Sequence, residues 1–181
     1  MRIIAGKNRG RKLETLPGLA TRPTLDGTKE AIFSSLGGML YDFVVLDVFG
    51  GSGALSLEAI SRGAKKAYIL DNNLEAIEVI KKNAKTLNSM KEMTILYGDY
   101  HQILKGFTNQ QFDLVFLDPP FKLKVIEELV EFLNNNNMVT EGGYIVCEYP
   151  KEDIVRCEYP NLKVKLKRRY SSSEILILEK E

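Results

Sequence analysis

The segment from residue 43 to residue 56 constrains the fold most, because a strand, a glycine-rich turn and a helix follow one another without a break. It reads Phe-Val-Val-Leu-Asp-Val-Phe-Gly-Gly-Ser-Gly-Ala-Leu-Ser. The continuous apolar run is typical of a parallel strand buried on both faces. Leu55, Leu57 and Ile60 then follow helical spacing. The segment therefore predicts the first βα unit of a nucleotide-binding fold, although a glycine turn alone could be a tight turn without a ligand.

The rest of the chain repeats this alternation, which predicts a doubly wound α/β fold with a mostly parallel sheet. The short link at residues 171–173 predicts that the last two strands form an antiparallel hairpin. With 181 residues and 44% apolar content, the chain can bury one core and scarcely two, so we expect a single domain over residues 1–181. Predicted helices are 27–37, 52–62, 73–88, 100–107 and 122–136; predicted strands are 43–48, 66–71, 93–97, 113–118, 143–148, 162–170 and 174–179.

The acids at the ends of the predicted strands indicate which nucleotide binds. Ser56 stands where a dinucleotide fingerprint would have its third glycine, which disfavours NAD. Asp47 would repel a pyrophosphate, whereas it suits the ammonium group of S-adenosylmethionine, directly or through water. Asp71 ends the next strand at the distance expected of a ribose-binding carboxylate. Asp99 could accept from the adenine amino group, or could simply cap the helix that follows, or both. The predicted donor-binding residues are Asp47, Phe49, Gly50, Gly51, Gly53, Asp71, Asn72, Asp99 and Tyr100.

A second apolar strand delivers Asp118-Pro-Pro-Phe121 to the same predicted edge of the sheet. The prolines hold the Asp118 carboxylate and the Pro119 carbonyl in fixed directions. Two fixed acceptors can turn the lone pair of an exocyclic base amine out of the ring plane, and the carboxylate can stabilise the positive charge that develops on nitrogen. Phe121 can stack on the base. The sequence thus predicts methylation of a nucleobase amine, with a merely rigid turn as the alternative.

Charge is distributed unevenly, although the formal net charge is only +1. Residues 1–13 contain five basic residues and no acid, and residues 163–169 contain five more. Such segments can bind phosphate while acidic helices balance the total, although solvated surface is the alternative. With Gly6 and Gly10 among them, the first group predicts an arm that lies along an RNA backbone. Its basic residues are Arg2, Lys7, Arg9, Arg11 and Lys12.

Several classes of protein are disfavoured. No apolar stretch is long enough to span a membrane, and the basic start leads into no signal-peptide apolar run, so we expect a cytoplasmic protein. Cys147 and Cys157 form neither a disulfide framework nor a metal cluster, and His101 stands alone, so no metal is expected.

The motifs together resemble the RsmD family of bacterial 16S ribosomal RNA guanine-N2 methyltransferases. The resemblance covers nearly the whole chain and rests on residues 1–6, 9–13, 22–24, 29–33, 46–55, 58–59, 61–64 and 118–121. It implies a class I methyltransferase fold with seven strands, S-adenosylmethionine as donor with S-adenosylhomocysteine as product, and guanine 966 of the 16S RNA as acceptor. It further implies that the substrate is a 30S subunit or an assembly intermediate, and we expect a monomer.

The resemblance also implies roles for particular residues. It assigns Asp118, Pro119 and Phe121 to the target amine, and Arg22 with the following helix to closing over the donor or guiding RNA, so that residues 1–25 form an RNA-contacting extension. Gly27 and Gly51 stand where the family usually has a basic residue and an alanine. Gly27 puts one phosphate contact in doubt. The competitors are an adenine-N6 methyltransferase acting on DNA or RNA, a protein glutamine methyltransferase and a catalytically silent RNA chaperone that binds a nucleotide.

Overall fold

α-Helices and strands alternate from Leu25 to Pro150 in the computed structural model, which describes residues 1–17 and 25–181, and two further strands follow. The strands and helices fall within a few residues of the predicted positions. The helices are α1 (Leu25–Ser35), α2 (Ala54–Ser61), α3 (Leu74–Thr86), α4 (Tyr100–Lys105) and α5 (Ile126–Asn135). The strands are β1 (Val44–Asp47), β2 (Lys66–Asp71), β3 (Met93–Tyr97), β4 (Phe112–Leu117), β5 (Val139–Pro150), β6 (Leu162–Arg169) and β7 (Ser173–Lys180).

All seven strands form one sheet in the order β3-β2-β1-β4-β5-β7-β6. The first five strands pair in parallel, whereas β7 is antiparallel to both β5 and β6. This confirms the predicted α/β class, the parallel core and the closing hairpin. The strand order reverses at β1 and β4, which is where a doubly wound sheet opens a crevice at the carboxyl ends of its strands.

Several boundaries differ from the prediction, and two helix starts differ for clear local reasons. Helix α2 begins at Ala54 instead of residue 52, because Gly53 adopts a left-handed conformation with φ of 83° that a helix cannot contain. Helix α5 begins at Ile126 instead of residue 122, since the backbone turn after Pro120 continues to Leu123. Both helices were predicted in the right part of the chain, but the residues just before each helix were wrongly predicted to be helical.

Apolar side chains fill both faces of the sheet. One cluster joins the sheet to α1, α2 and α3, and includes Phe33, Leu57 and Ile80. The opposite cluster joins it to α4 and α5, and includes Leu104 and Leu129. Among the described helices, none is both long and apolar enough to cross a membrane.

The first 13 residues form a hairpin-like arm on the face that carries α1 and α2. The Ile3 N–H donates to the Arg11 carbonyl at 2.9 Å, and Arg2 and Lys12 form an antiparallel bridge. Ile3 and Leu13 are buried in the same cluster as α1 and α2. The arm therefore packs as part of the core of the domain.

Candidate active site

A cleft of about 350 Å³ opens at the carboxyl ends of the central strands. The glycine loop after β1 and the residues after β2 form one end, and the residues after β4 form another. The arm and α1 supply the remaining wall. Its described lining residues are Met1, Thr15, Leu16, Thr28, Lys29, Ile32, Phe49, Gly50, Gly51, Ser52, Ala54, Leu55, Asp71, Asn72, Asn73, Ala76, Asp118, Pro119, Pro120 and Glu148.

The glycine loop is held against β2 by hydrogen bonds. The Gly50 N–H donates to the Leu70 carbonyl at 2.7 Å, and the Gly51 N–H donates to Asp71 Oδ2 at 2.9 Å. A Cβ atom at Gly50 would lie 2.5 Å from Ile69 Cγ1, so a side chain there would push the loop off the sheet. These contacts fix the backbone that faces the cleft.

Asp71 connects the loop to the next helix. Its Oδ1 accepts from the Asn73 N–H at 2.9 Å, and the Asn73 side chain caps α3 by accepting from the Glu75 N–H. Each carboxylate oxygen has a second lone pair. Asp71 and Asn72 both line the cleft, so their polar atoms are in reach of a ligand with hydroxyl groups.

Asp47 lies at the end of β1 and is only 1% exposed. Its Oδ2 accepts from the Ser56 hydroxyl at 2.8 Å, whereas its Oδ1 has no hydrogen-bond partner among the described residues. The pKa of Asp47 is raised from 3.8 to about 7, mainly by burial; the Asp71 carboxylate contributes to the rise, and the hydrogen bonds from the Ser56 hydroxyl and the Phe49 backbone oppose it. Asp47 is not among the described residues that line the cleft, so it reaches a ligand there only through the loop or a bridging water.

Three other predicted donor residues support the cleft without lining it, as far as the described residues go. Gly53 begins α2. Asp99 caps α4 by accepting from the Gln102 N–H at 3.3 Å, so the capping role considered for it is present. The Tyr100 ring meets the edge of Phe49 at a centroid distance of 5.0 Å, and Phe49 lines the cleft. A contact between Asp99 and a base stays a prediction.

The residues after β4 bring the predicted acceptors to the same cleft. Asp118, Pro119 and Pro120 line it, while Phe121 is half-buried and is not among its described lining residues. One carboxylate and one carbonyl therefore border the space next to the glycine loop. This arrangement can accept hydrogen bonds from an amino group while a second ligand occupies the loop.

The five basic side chains of the arm are exposed. Lys7 pairs with Glu92 at 3.1 Å, Arg11 donates to the Thr86 carbonyl at 2.9 Å, and Arg2 donates to the Gly10 carbonyl at 2.9 Å. Arg9 and Lys12 take part in none of these contacts. Arg22 lies outside the described residues.

A buried carboxylate that sequence reasoning gave no role fastens the arm. Glu58 on α2 is fully buried and accepts from the Ile4 and Ala5 N–H groups at 2.9 and 3.1 Å. It also forms ion pairs with Lys29 at 3.0 Å and Arg62 at 2.9 Å. Because Lys29 and the arm both border the cleft, this cluster shapes the wall. The three residues lie within the motifs that resemble a known family, which was the available signal.

Asn83 makes a second link that the sequence did not reveal. Its side chain exchanges two hydrogen bonds with the backbone of Glu14, at 2.8 and 2.9 Å, and donates to the Ser52 carbonyl at 2.9 Å. One amide thus ties the residue that directly follows the arm to the glycine loop. Among the described residues, no group of three or more histidine, cysteine, aspartate or glutamate side chains could hold a metal ion.

Comparisons with known proteins agree with this geometry. The sequence model of the family described as "Conserved hypothetical protein 95" matches residues 1–179. Ribosomal RNA small subunit methyltransferase D of Haemophilus influenzae is 39% identical over 154 residues, which cover 84% of this chain and 80% of the relative. The Escherichia coli protein of the same name is 33% identical over 153 residues, covering 84% and 76%.

A solved structure gives the same picture for the fold. The structure titled "Putative methyltransferase yhhF from Escherichia coli" superposes with a TM-score of 0.88 at 29% sequence identity. The match covers 100% of this chain and 98% of that chain. The similarity therefore includes the arm and the closing hairpin as well as the parallel core.

Proposed function

Because the chain belongs to the Conserved hypothetical protein 95 family, the RsmD family of rRNA methyltransferases, we propose that it methylates N2 of a guanine in small-subunit rRNA. The chain is an rRNA methyltransferase of the S-adenosylmethionine-dependent kind. The proposal that the acceptor is a guanine N2 amine is supported by one observation: Asp118 and Pro119 line the same cleft as the glycine loop and Asp71. We propose guanine 966 of the 16S RNA as the target.

The residues at the loop end of the cleft suit S-adenosylmethionine. Asp71 presents carboxylate lone pairs to a ribose, and the glycine backbone leaves room for the chain that carries sulfur. The Asp47 Oδ1 atom is a buried acceptor without a partner among the described residues, and such atoms are rare unless a ligand or water completes them. An ammonium group, acting through water, would supply that partner. Phe49, Gly50, Gly51 and Asn72 complete the proposed donor set, while Gly53, Asp99 and Tyr100 support it.

When bound, S-adenosylmethionine supplies the methyl group: the guanine N2 lone pair forms the new bond to carbon, the carbon–sulfur electron pair returns to sulfur, and N2 loses one proton. Asp118 and the Pro119 carbonyl hold the two N2 hydrogens and turn the lone pair toward the methyl carbon. The charge on Asp118 stabilises the positive charge that develops on N2, and the carboxylate takes the departing proton before passing it to water. Phe121 is proposed to stack on the base.

The target guanine must leave its stack to reach this position. Asp118 lies at the end of a buried strand, and a paired base cannot offer its amino edge to a carboxylate there. We therefore propose an unpaired or flipped guanine, held while Arg2, Lys7, Arg9, Arg11, Lys12 and Arg22 contact the phosphate backbone. The protein acts as a monomer in the cytoplasm, on a 30S subunit or an assembly intermediate.

The reaction is tested by transfer of a labelled methyl group from S-adenosylmethionine to small subunits that lack the modification, followed by nucleoside analysis. We expect N2-methylguanosine, mapped to one position of the RNA. Methyladenosine would support the adenine-N6 alternative, and methylated protein would support the glutamine alternative. Donor binding without transfer would support the silent RNA chaperone.

The role of Asp118 is tested by the Asp118→Ala variant. Loss of a preorganised group that stabilises transition-state charge lowers turnover by about 100-fold to 1,000-fold, so we expect at least that fall. Donor affinity, measured by calorimetry, should change little. Asp118→Asn keeps an acceptor without the charge and should fall between the two. Glu152→Ala, an exposed acid nearby, is the matched control. Normal turnover in Asp118→Ala would remove this residue from the mechanism.

A further inference from the structure

A second carboxylate lies beside Asp118 in the cleft. The parallel register of β4 and β5 ends with Leu117 opposite Cys147, and Asp118 and Glu148 are the residues that directly follow this pair. Glu148 lines the cleft although it is only 8% exposed. It lies within the run of buried residues 145–149 on β5 and pairs with Ile175 of β7, so its position is fixed by the sheet.

The alternation of side chains along a strand determines where Glu148 points. Leu117 and Cys147 belong to the apolar cluster on the side of α4 and α5. Glu148, the next residue of β5, therefore faces the opposite side, toward α1, and its pairing partner Ile175 lies in the apolar cluster on that side. Asp118 comes directly after the end of β4 and lines the same cleft. Thr28, Lys29 and Ile32 of α1 line the same cleft. The sheet thus directs two carboxylates into one space.

The hydrogen-bonding edge of guanine matches such a pair. Guanine carries the N1–H donor directly beside its N2 amino group, whereas adenine has an unprotonated N1 that only accepts. A carboxylate only accepts when it is ionised. A pair of neighbouring carboxylates therefore fits two neighbouring donors, and it would repel the N1 lone pair of adenine.

Resting on the proposed function above, we propose that Glu148 accepts the N1–H of the target guanine while Asp118 and the Pro119 carbonyl hold the N2 amine. Glu148 is then the specificity-determining residue of the cleft. It aligns the base and rejects purines without a proton on N1. Its contribution is to orientation and choice of base, whereas the developing charge on N2 belongs to Asp118.

The test replaces the target guanine by 2-aminopurine, which keeps the amine at position 2 but has no proton on N1. The base is introduced in a synthetic RNA segment, which is ligated into 16S RNA and reconstituted into small subunits. Labelled methyl transfer gives the ratio of turnover on guanine to turnover on 2-aminopurine. We expect wild-type protein to favour guanine by about 100-fold, the effect of losing one hydrogen bond to a charged group.

The Glu148→Gln variant should change that ratio in a way that a structural role would not. Its amide can donate to N1 of 2-aminopurine and can no longer offer a charge to the N1–H of guanine. We expect the preference for guanine to fall to about tenfold or less. Glu148→Asp, which keeps the charge on a shorter side chain, should retain more of the preference. Donor affinity is the check that the variants are folded.

The outcomes separate the two proposals. Absence of methyl transfer from the wild-type protein to guanine N2 would overturn the proposed function itself. Equal wild-type turnover on guanine and 2-aminopurine would overturn only the inference about Glu148, and this result needs no variant. An unchanged ratio in Glu148→Gln would overturn it as well. A ratio that falls in Glu148→Gln and is largely kept in Glu148→Asp supports it.

Discussion

One buried carboxylate, Glu58, lies on helix α2, and another, Asp47, accepts a hydrogen bond from Ser56 of the same helix. The two differ in how many hydrogen bonds and ion pairs their oxygens make. Glu58, which fastens the arm, accepts from two backbone N–H groups and pairs with two cations. Asp47, beside the glycine loop, accepts from the Ser56 hydroxyl and interacts with the Phe49 backbone, while its Oδ1 has no partner of normal hydrogen-bond geometry among the described residues. Both are almost fully withdrawn from water. The two acids are therefore equally buried, but Glu58 is paired with cations whereas Asp47 has an oxygen without a partner among the described residues.

Of these two acids, Asp47 is the one with an oxygen still available to a ligand. A buried charge requires partners, and the Glu58 cluster supplies them from three parts of the chain. Glu58 therefore serves as a fixed structural link. Among residues 1–17 and 25–181, Asp47 forms no ion pair with a cation, and its burial raises its pKa to about 7. Asp47 lies next to the glycine loop, and a cationic ligand bound there would supply the partner that its Oδ1 does not have among the described residues.

Breaking the complete cluster should give the largest effect on stability. Glu58→Gln leaves Lys29 and Arg62 buried without a carboxylate, and removing one partner of a buried ion pair costs about 3–5 kcal/mol of unfolding free energy. Urea unfolding should show a lower midpoint with an unchanged slope. The arm should also become more accessible to hydrogen exchange, because the Ile4 and Ala5 N–H groups lose a charged acceptor.

The matched control for Glu58 is the other ion pair that holds the arm. Lys7 and Glu92 are partly exposed, with side chains 51% and 28% accessible. Exposed pairs contribute about 0–1 kcal/mol, so Glu92→Gln should hardly move the unfolding midpoint. A Glu58→Gln variant as stable as Glu92→Gln would show that the arm is held by its apolar contacts instead.

Replacing Asp47 by a neutral residue should raise the unfolding free energy, whereas replacing Glu58 should lower it. Because burial raises the pKa of Asp47 from 3.8 to about 7, the native protein keeps a proton that the unfolded chain has already released between these pH values. The unfolding free energy then falls as pH rises through this window. Asp47→Asn removes the loss, so the variant should gain up to about 4 kcal/mol over wild type by pH 8 and little at pH 4.

The pH dependence of donor binding gives a second test of the ionisation of Asp47. A cationic group near Asp47 would favour the ionised acid, so S-adenosylmethionine should bind wild-type protein more tightly above pH 7 and release a proton on binding near neutral pH. Calorimetry in two buffers of different ionisation enthalpy measures that proton. Asp47→Asn should release none at this site. Stability curves for the two proteins that run parallel from pH 4 to pH 8 would contradict the assignment.

The acids at the ends of parallel strands could be predicted from the sequence, whereas the buried cluster around Glu58 could not. Asp47, Asp71 and Asp118 each follow an apolar strand, and parallel strands end at one edge, so the strand order was enough to bring these acids together. Glu58, Lys29 and Arg62 meet across 29 and 4 residues of sequence through packing of α1 on α2, and nothing in their own spacing distinguishes buried charges from surface ones. Glu148 was hidden for a related reason, since its position depends on the register of β5 against β4.

The smallest change in stability is expected on the outer face of the fastened arm, where it can be separated from RNA binding. The side chains of Arg9 and Lys12 are exposed and take no part in the side-chain contacts described for the arm, so Arg9→Gln with Lys12→Gln should alter unfolding free energy by less than about 0.5 kcal/mol. If both contact phosphates, the slope of log affinity against log salt should fall by about 1.5.

The matched control carries the same charge change on β6, as Lys163→Gln with Lys165→Gln, near the edge of the sheet opposite the cleft. A smaller slope change there than in the arm variant would locate the RNA backbone along the arm. Equal changes would mean that both basic segments contact RNA. An unchanged slope in the arm variant would contradict its role, and the rigid link at Glu58 would then serve to shape the cleft wall instead of to hold an RNA-binding arm.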